Sequence, residues 1–160
     1  MKKIEWQSYK KVIGSSLIAV YASQLHVNED LTIFASEFLL KFRNPITLEF
    51  WYWHLKWFED EELNDYLIIN EQETPKPLEY VEEPLSTPEH IIIGSLFHFE
   101  DKCISKVSGY GYKDTDGELL TKLLFEFEES YLVIKTGPLI EVKYLKEKPN
   151  QLGDLLFICD

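Results

Sequence analysis

Arginine is nearly missing from this chain. Arg43 is the only one in 160 residues, and the 16 bases stand against 28 acids for a formal net charge of −12. Phosphate backbones are bound by clustered Lys and Arg, so nucleic acid is disfavoured as a partner. Anionic membrane surfaces are disfavoured for the same reason. Cysteine is scarce too: only Cys103 and Cys159 are present, which excludes the dense framework of a small secreted disulfide domain. Their apolar neighbours Ile104, Phe157 and Ile158 suit reduced thiols. Long hydrophobic runs are lacking. Phe50–Leu55 and Ile91–Ile93 fall far short of the ~20 apolar residues that cross a bilayer. Lys2 and Lys3 are followed at once by Glu5, Gln7 and Ser8 rather than by the apolar core of a signal segment. A cytoplasmic protein is expected. Apolar residues at 45% and aromatics at 14% are ample for an ordinary core, and the length predicts one domain over residues 1–160.

The charge imbalance has a location. Residues 59–101 hold thirteen acids and one base, Lys76, while the rest of the chain balances at fifteen of each. A local field of that kind points to a partner surface. Within it, Glu59, Asp60, Glu61 and Glu62 are contiguous, and Glu82 and Glu83 form a second cluster.

Residues 73–88 contain Pro75, Pro77, Pro84 and Pro88 and read as a connector with little regular structure. It joins two halves, about 1–72 and 89–160, that resemble each other. Leu31–Pro45 aligns without a gap on Leu124–Pro138, Ile13-Gly14-Ser15 recurs as Ile93-Gly94-Ser95, and residues 65–69 match 154–158. Internal duplication is one account and shared turn chemistry is the other.

Strand signals run through both halves. The second half predicts Cys103–Tyr112, a turn at Asp114, Asp116 and Gly117, then Leu119–Glu128, Tyr131–Lys135 and Leu139–Leu145 as an antiparallel meander. The first half predicts strands near Ser16–Ala22, Leu31–Ala35, Phe38–Arg43 and Ile46–Trp53. Helices are expected at Ile4–Ile13, after Asp60 as cap with Leu63, Tyr66 and Leu67 on one side, and over His90–Ile93 opened by Thr87-Pro88-Glu89. The expected fold class is α+β, with two similar antiparallel β-meander modules in tandem and a few short helices.

No motif names a reaction. His26, His54, His90 and His98 lack the i, i+4 spacing of a helical zinc site, and Asp114-Asp116-Gly117 lacks the glycine and terminal Glu positions of a calcium loop. His98, Glu100, Asp101 and Cys103 are close in sequence, which does not make them close in space. Gly109 and Gly111 alternate with Tyr110 and Tyr112 without a following Lys-Ser or Lys-Thr, so a bulge or close backbone approach explains them better than a phosphate loop. No catalytic residue, metal ligand or cofactor is expected.

The run from Phe50 to Phe58 puts Trp51 and Trp53 on one face of a strand and Phe50 and Tyr52 on the other. Either both faces are buried, or one is open and Trp51, Trp53 and Trp57 anchor a binding surface beside the acids. The preferred reading is a non-catalytic protein-binding module for a basic partner, with Glu59–Glu62, Glu82, Glu83 and these tryptophans in contact. The alternative is a small-ligand domain with an aromatic pocket between the two modules. A small, acidic, cysteine-poor, strand-rich chain resembles the immunity proteins that accompany bacterial secreted toxins. The resemblance lies in size, charge and texture, and it implies neutralisation by direct binding without catalysis.

Overall fold

Strand periodicity dominates the chain. In β11 (Tyr131–Lys135) and β12 (Ile140–Leu145), Leu132, Ile134, Ile140 and Val142 are buried, and their neighbours are half-exposed or exposed. Such alternation fits a sheet with one face on a core. The computed structural model describes residues 6–22, 26–27, 32–73, 92–93, 102–114 and 117–160. The strands before these two are β1 (Ser16–Ala22), β2 (His26–Val27), β3 (Ile33–Ala35), β4 (Glu37–Arg43), β5 (Phe50–Glu59), β6 (Asp65–Gln72), β7 (Ile92–Ile93), β8 (Lys102–Cys103), β9 (Lys106–Asp114) and β10 (Gly117–Glu126), and β13 (Asp154–Cys159) follows them.

They form two antiparallel sheets. The first has the order β6-β5-β4-β1-β7, with β8 also on β1, and the second runs β13-β9-β10-β11-β12-β3-β2. Each half of the chain builds most of one sheet and lends short strands to the other. The first half supplies β2 and β3 to the edge of the second sheet at β12. The second half supplies β7 and β8 to β1. Ser36 alone separates β3 from β4, which lies in the other sheet, and Ile104-Ser105 makes the reverse passage from β8 to β9. Such short additions satisfy backbone groups that an open edge leaves unpaired.

One core fills the space between the sheets. Phe42 and Trp53 of the first sheet meet Phe125 of the second, with ring centroids 6.2 and 5.9 Å from it. Trp6 and Tyr9, in a 3-10 helix over Trp6–Val12, pack against the same core. Tyr9 contacts Trp53 at 4.9 Å and Phe157 at 5.6 Å, bridging the sheets. Gly109 leaves room for the Phe157 ring, which a β-carbon there would overlap, and Gly111 lies against the Leu119 carbonyl beside a bulge in β10. The glycines are thus sites of close approach.

The expected α+β class is overturned: this is a nearly all-β chain, and the 3-10 helix is the only helical element among the described residues. The expected helix after Asp60 is a hairpin turn followed by β6. Asp60 does cap backbone amides, but those of a turn, and residues 65–72 pair with β5 in full register. Tertiary pairing thus overrides an ambiguous i, i+3, i+4 pattern. Ile92 and Ile93, expected to be helical, are paired to Ala22 and Tyr21; Thr87–His90 lie outside the described residues. The expected tandem modules are interlocked by the exchanged strands. The matched blocks also differ in topology. Chain passage from β3 to β4 changes sheets, whereas β10 and β11 form a hairpin within one. Apart from Glu73, the connector 73–88 lies outside the described residues.

Candidate functional site

β5 divides the aromatic run between two environments. Trp51, Trp53 and Leu55 face the core, and Trp53 is 0% exposed. Phe50 and Phe58, on the opposite face, are exposed, with Phe58 at 50%. Neither expectation for this strand holds whole: its middle is buried on both faces, with His54 Nε2 2.7 Å from the buried Glu37 Oε2, the outward face opens only at its ends, and the tryptophans are on the core side. Trp57 is half-buried near the strand end, where its Nε1 donates to Asp65 Oδ1 at 3.1 Å. Trp53 Nε1 donates to Glu71 Oε1 at 3.3 Å, and Lys11 Nζ lies 3.1 Å from Glu71 Oε2. Two of the acids, Asp65 and Glu71, therefore serve the fold itself.

The contiguous acids are placed differently. Glu59 ends β5, and Asp60 to Asn64 form the turn into β6. Asp60 Oδ1 accepts from the backbone amides of Glu62 and Asn64, both at 2.9 Å, and its Oδ2 accepts from Asn64 Nδ2 at 3.3 Å. The Asp60 amide donates to the Asn64 carbonyl at 3.1 Å, and Leu63 N donates to the Asp60 carbonyl at 3.1 Å. The bonds from Asn64 and Glu62 hold the Asp60 carboxyl below the usual aspartate range, against a smaller opposing effect of desolvation. Asp60 thus fixes the turn, while Glu59, Glu61 and Glu62 extend into solvent.

Leu63 is the anomaly of this turn. Its φ is +63°, in the left-handed region that favours glycine or asparagine, and its side chain is 75% exposed. Neither its backbone nor its side chain is placed where leucine aids folding. Phe58, packed on Tyr66 with ring centroids 5.4 Å apart, stands at the other side of the same hairpin end. Glu59 is directly opposite Asp65, so like charges also oppose each other at the mouth of the turn.

A second surface lies at the opposite end of β5. A groove of about 660 Å³ is lined by Lys11, Asn44, Glu49, Phe50, Trp51, Tyr52 and Glu73. Ile46 and Leu48 of the adjoining turn are exposed, and Leu48 also has a left-handed φ, +61°. The Trp51 indole N–H has no hydrogen-bond partner among the described residues, and Lys11 Nζ sits 4.9 Å from the Trp51 ring centroid.

Of the sequence-predicted site residues, Glu59, Asp60, Glu61 and Glu62 are brought together at one hairpin end, Trp57 lies near them, and Trp51 and Trp53 are withdrawn into the core. Glu82 and Glu83 lie outside the described residues. Sequence reasoning missed Phe58 and Leu63. The signal for Phe58 was available: with Trp51 and Trp53 inward, strict alternation turns position 58 outward. For Leu63 the only signal was an isolated apolar residue among Asp, Glu and Asn. No group of three or more His, Cys, Asp or Glu side chains is arranged to hold a metal among the described residues, and Cys103 and Cys159 are free thiols. Burial pushes the Cys159 thiol up, away from thiolate reactivity. No helix among the described residues is long and apolar enough to cross a membrane.

The chain matches no protein family, no curated protein and no solved structure.

Proposed function

We propose that this protein is a non-catalytic binder of a basic protein and that the β5–β6 hairpin end is its point of contact. The observation that carries the reading is the set of exposed carboxylates, Glu59, Glu61 and Glu62, beside the exposed Leu63, which the similarly built turn holding Leu48 lacks. An apolar residue fixed by hydrogen bonds and ringed by carboxylates suits a contact in which Leu63 and Phe58 supply affinity and the acids supply encounter rate. The turn is also preorganised by Asp60, which lowers the ordering cost of binding. Neutralisation of a secreted toxin by an immunity protein is the setting we favour, in keeping with the resemblance in size and charge. Free thiols at both cysteines accord with a cytoplasmic location.

The test compares capture by the native chain and by a Glu59→Lys, Glu61→Lys, Glu62→Lys triple variant, at low and high salt. Asp60 is left intact because it holds the turn. The reading expects a basic protein retained by the native chain at low salt, lost as salt rises, and not retained by the variant. Equal capture by both chains, with unchanged circular dichroism, overturns it.

A second reading, a small-ligand site, is favoured by the unpartnered Trp51 indole beside the 660 Å³ groove. Its location differs from the expectation of a pocket between two modules, where Phe42, Trp53 and Phe125 fill the space. A ligand in the groove would quench tryptophan emission and raise the melting temperature by mass action. A screen that changes neither would count against it.

A further inference from the structure

β12 ends at Leu145 and β13 begins at Asp154 on the far side of β11, β10 and β9. With strands ~4.8 Å apart that crossing is about 19 Å sideways, and since Leu145 is level with Glu126 but Asp154 with Leu120, the diagonal is roughly 28 Å. The nine steps from Leu145 to Asp154, fully extended, reach roughly 31 Å. Residues 146–153 therefore form a strap with limited slack. Positive φ angles at Gln151 and Gly153 turn it, and Lys122 Nζ donates to the Gln151 carbonyl at 3.2 Å.

Under this strap lies a cleft of about 230 Å³ lined by Lys122, Val133, Lys135, Glu141 and Lys143, with Asn150 among its strap residues. Register explains the convergence. Lys122 is directly opposite Lys135, Lys135 is opposite Glu141, and Lys143 is opposite Val133 in the next row. Their neighbours Leu123, Ile134 and Val142 are fully buried in the core, so these side chains project from the other face.

Three lysines and one glutamate thus line one partly enclosed space in a protein that is otherwise strongly acidic. Like charges directly opposite destabilise a sheet, and nothing about pairing β10 with β11 requires them. Burial and then Lys135 push the Lys122 ammonium down from its usual range, while Glu141 acts the other way. The cleft is smaller than the ~300–1,000 Å³ of sites for larger organic ligands, which limits it to a compact guest. Lysine binds phosphate as a point charge, and several around one small space suit a group with oxygens on all sides.

We propose that the cleft between the outer face of β10–β12 and the strap is a binding site for a small phosphate-class oxyanion, held by Lys122, Lys135 and Lys143. Glu141 tunes it by opposing the anion. The site is separate from the acidic hairpin end, so its occupancy does not depend on a protein partner.

Inorganic phosphate and pyrophosphate, titrated into the intact protein by calorimetry at ionic strength fixed with sodium chloride, test the proposal. Saturable binding is expected. Lys135→Gln should weaken it about tenfold, and Glu141→Gln should tighten it several-fold, since one removes an attractive and the other a repulsive charge. Opposite responses at two neighbouring positions would not arise from a general loss of folding; melting curves of both variants check this directly. Heats indistinguishable from added chloride, or a Lys135→Gln variant that binds as well as the native chain, overturn the site. So does a Glu141→Gln variant that binds no more tightly.

Discussion

The two turns that flank β5 do the same backbone work with different chemistry. Asn44 opens one, accepting from the amides of Ile46 at 2.8 Å and Thr47 at 3.2 Å. Asp60 opens the other, accepting from Glu62 and Asn64. Each turn is closed by backbone bonds to its opening residue, and each places a leucine, Leu48 or Leu63, at positive φ with its side chain exposed. The Asn44 turn achieves this with one acid, Glu49. The Asp60 turn adds Glu61 and Glu62 and follows Glu59. Charge is therefore not what makes the turn, and the extra carboxylates need a reason outside folding. That contrast is the basis for assigning the contact to the acidic end.

The largest expected effect removes what the turns share. Trp53→Ala should cost about 3–5 kcal/mol in denaturant unfolding, because it opens a cavity between Phe42, Tyr9 and Phe125. An effect below ~1 kcal/mol would mean that the core relaxes around it and that β5 is not the common support. Next, Asn44→Ala and Asp60→Ala should each lower the melting temperature modestly, since each takes a side-chain acceptor from two turn amides that water can then solvate. A larger loss at Asp60 than at Asn44 would measure what its charge adds to the turn. Leu48→Asn and Leu63→Asn should each stabilise by about 0.5–1 kcal/mol, as asparagine tolerates the left-handed region better. Only Leu63→Asn should weaken partner capture, and equal loss in both would shift the contact to the whole of β5.

Smaller still is the pH response. The depressed carboxyl of Asp60 contributes stability that is fully present above the ordinary aspartate range and declines as pH falls through the value in the folded protein. Replacing Asp60 by Asn should flatten that acid limb, which melting curves between neutral and strongly acidic pH would register. The uncharged Asn44 turn supplies no such limb. Smallest of all, reversing Glu61 and Glu62 to Lys should alter unfolding by no more than about 0.5 kcal/mol. The same change should slow association with a basic partner many-fold at low salt.

Much of the strand layout is legible in the sequence. Ser16–Ala22 and Tyr131–Lys135 are read with their observed bounds, and β4, β9, β10 and β12 are displaced by only a few residues. β6 is misread because Leu63, Tyr66 and Leu67 satisfy a helical spacing while Tyr66 to Ile69 also suit a strand. Pairing with β5 decides between them, and that lies outside any local window. The acids of residues 59–62 are found as a cluster, since they are contiguous. The lysine cleft is invisible in sequence. Lys122, Lys135 and Lys143 belong to three separate strands within a region of balanced charge, and only their register and the strap gather them.

The sequence by itself determined the local content: a strand-rich chain, an aromatic segment with two distinguishable faces, a run of acids and free cysteines. Those are properties of neighbours along the chain, fixed by side-chain periodicity and composition. Only the tertiary structure decided how far each face of the aromatic strand is buried, which strands each half lends to the other, and which charges meet across a sheet. These depend on packing and register between distant segments, where free energy is gained by the whole sheet rather than by any residue in it.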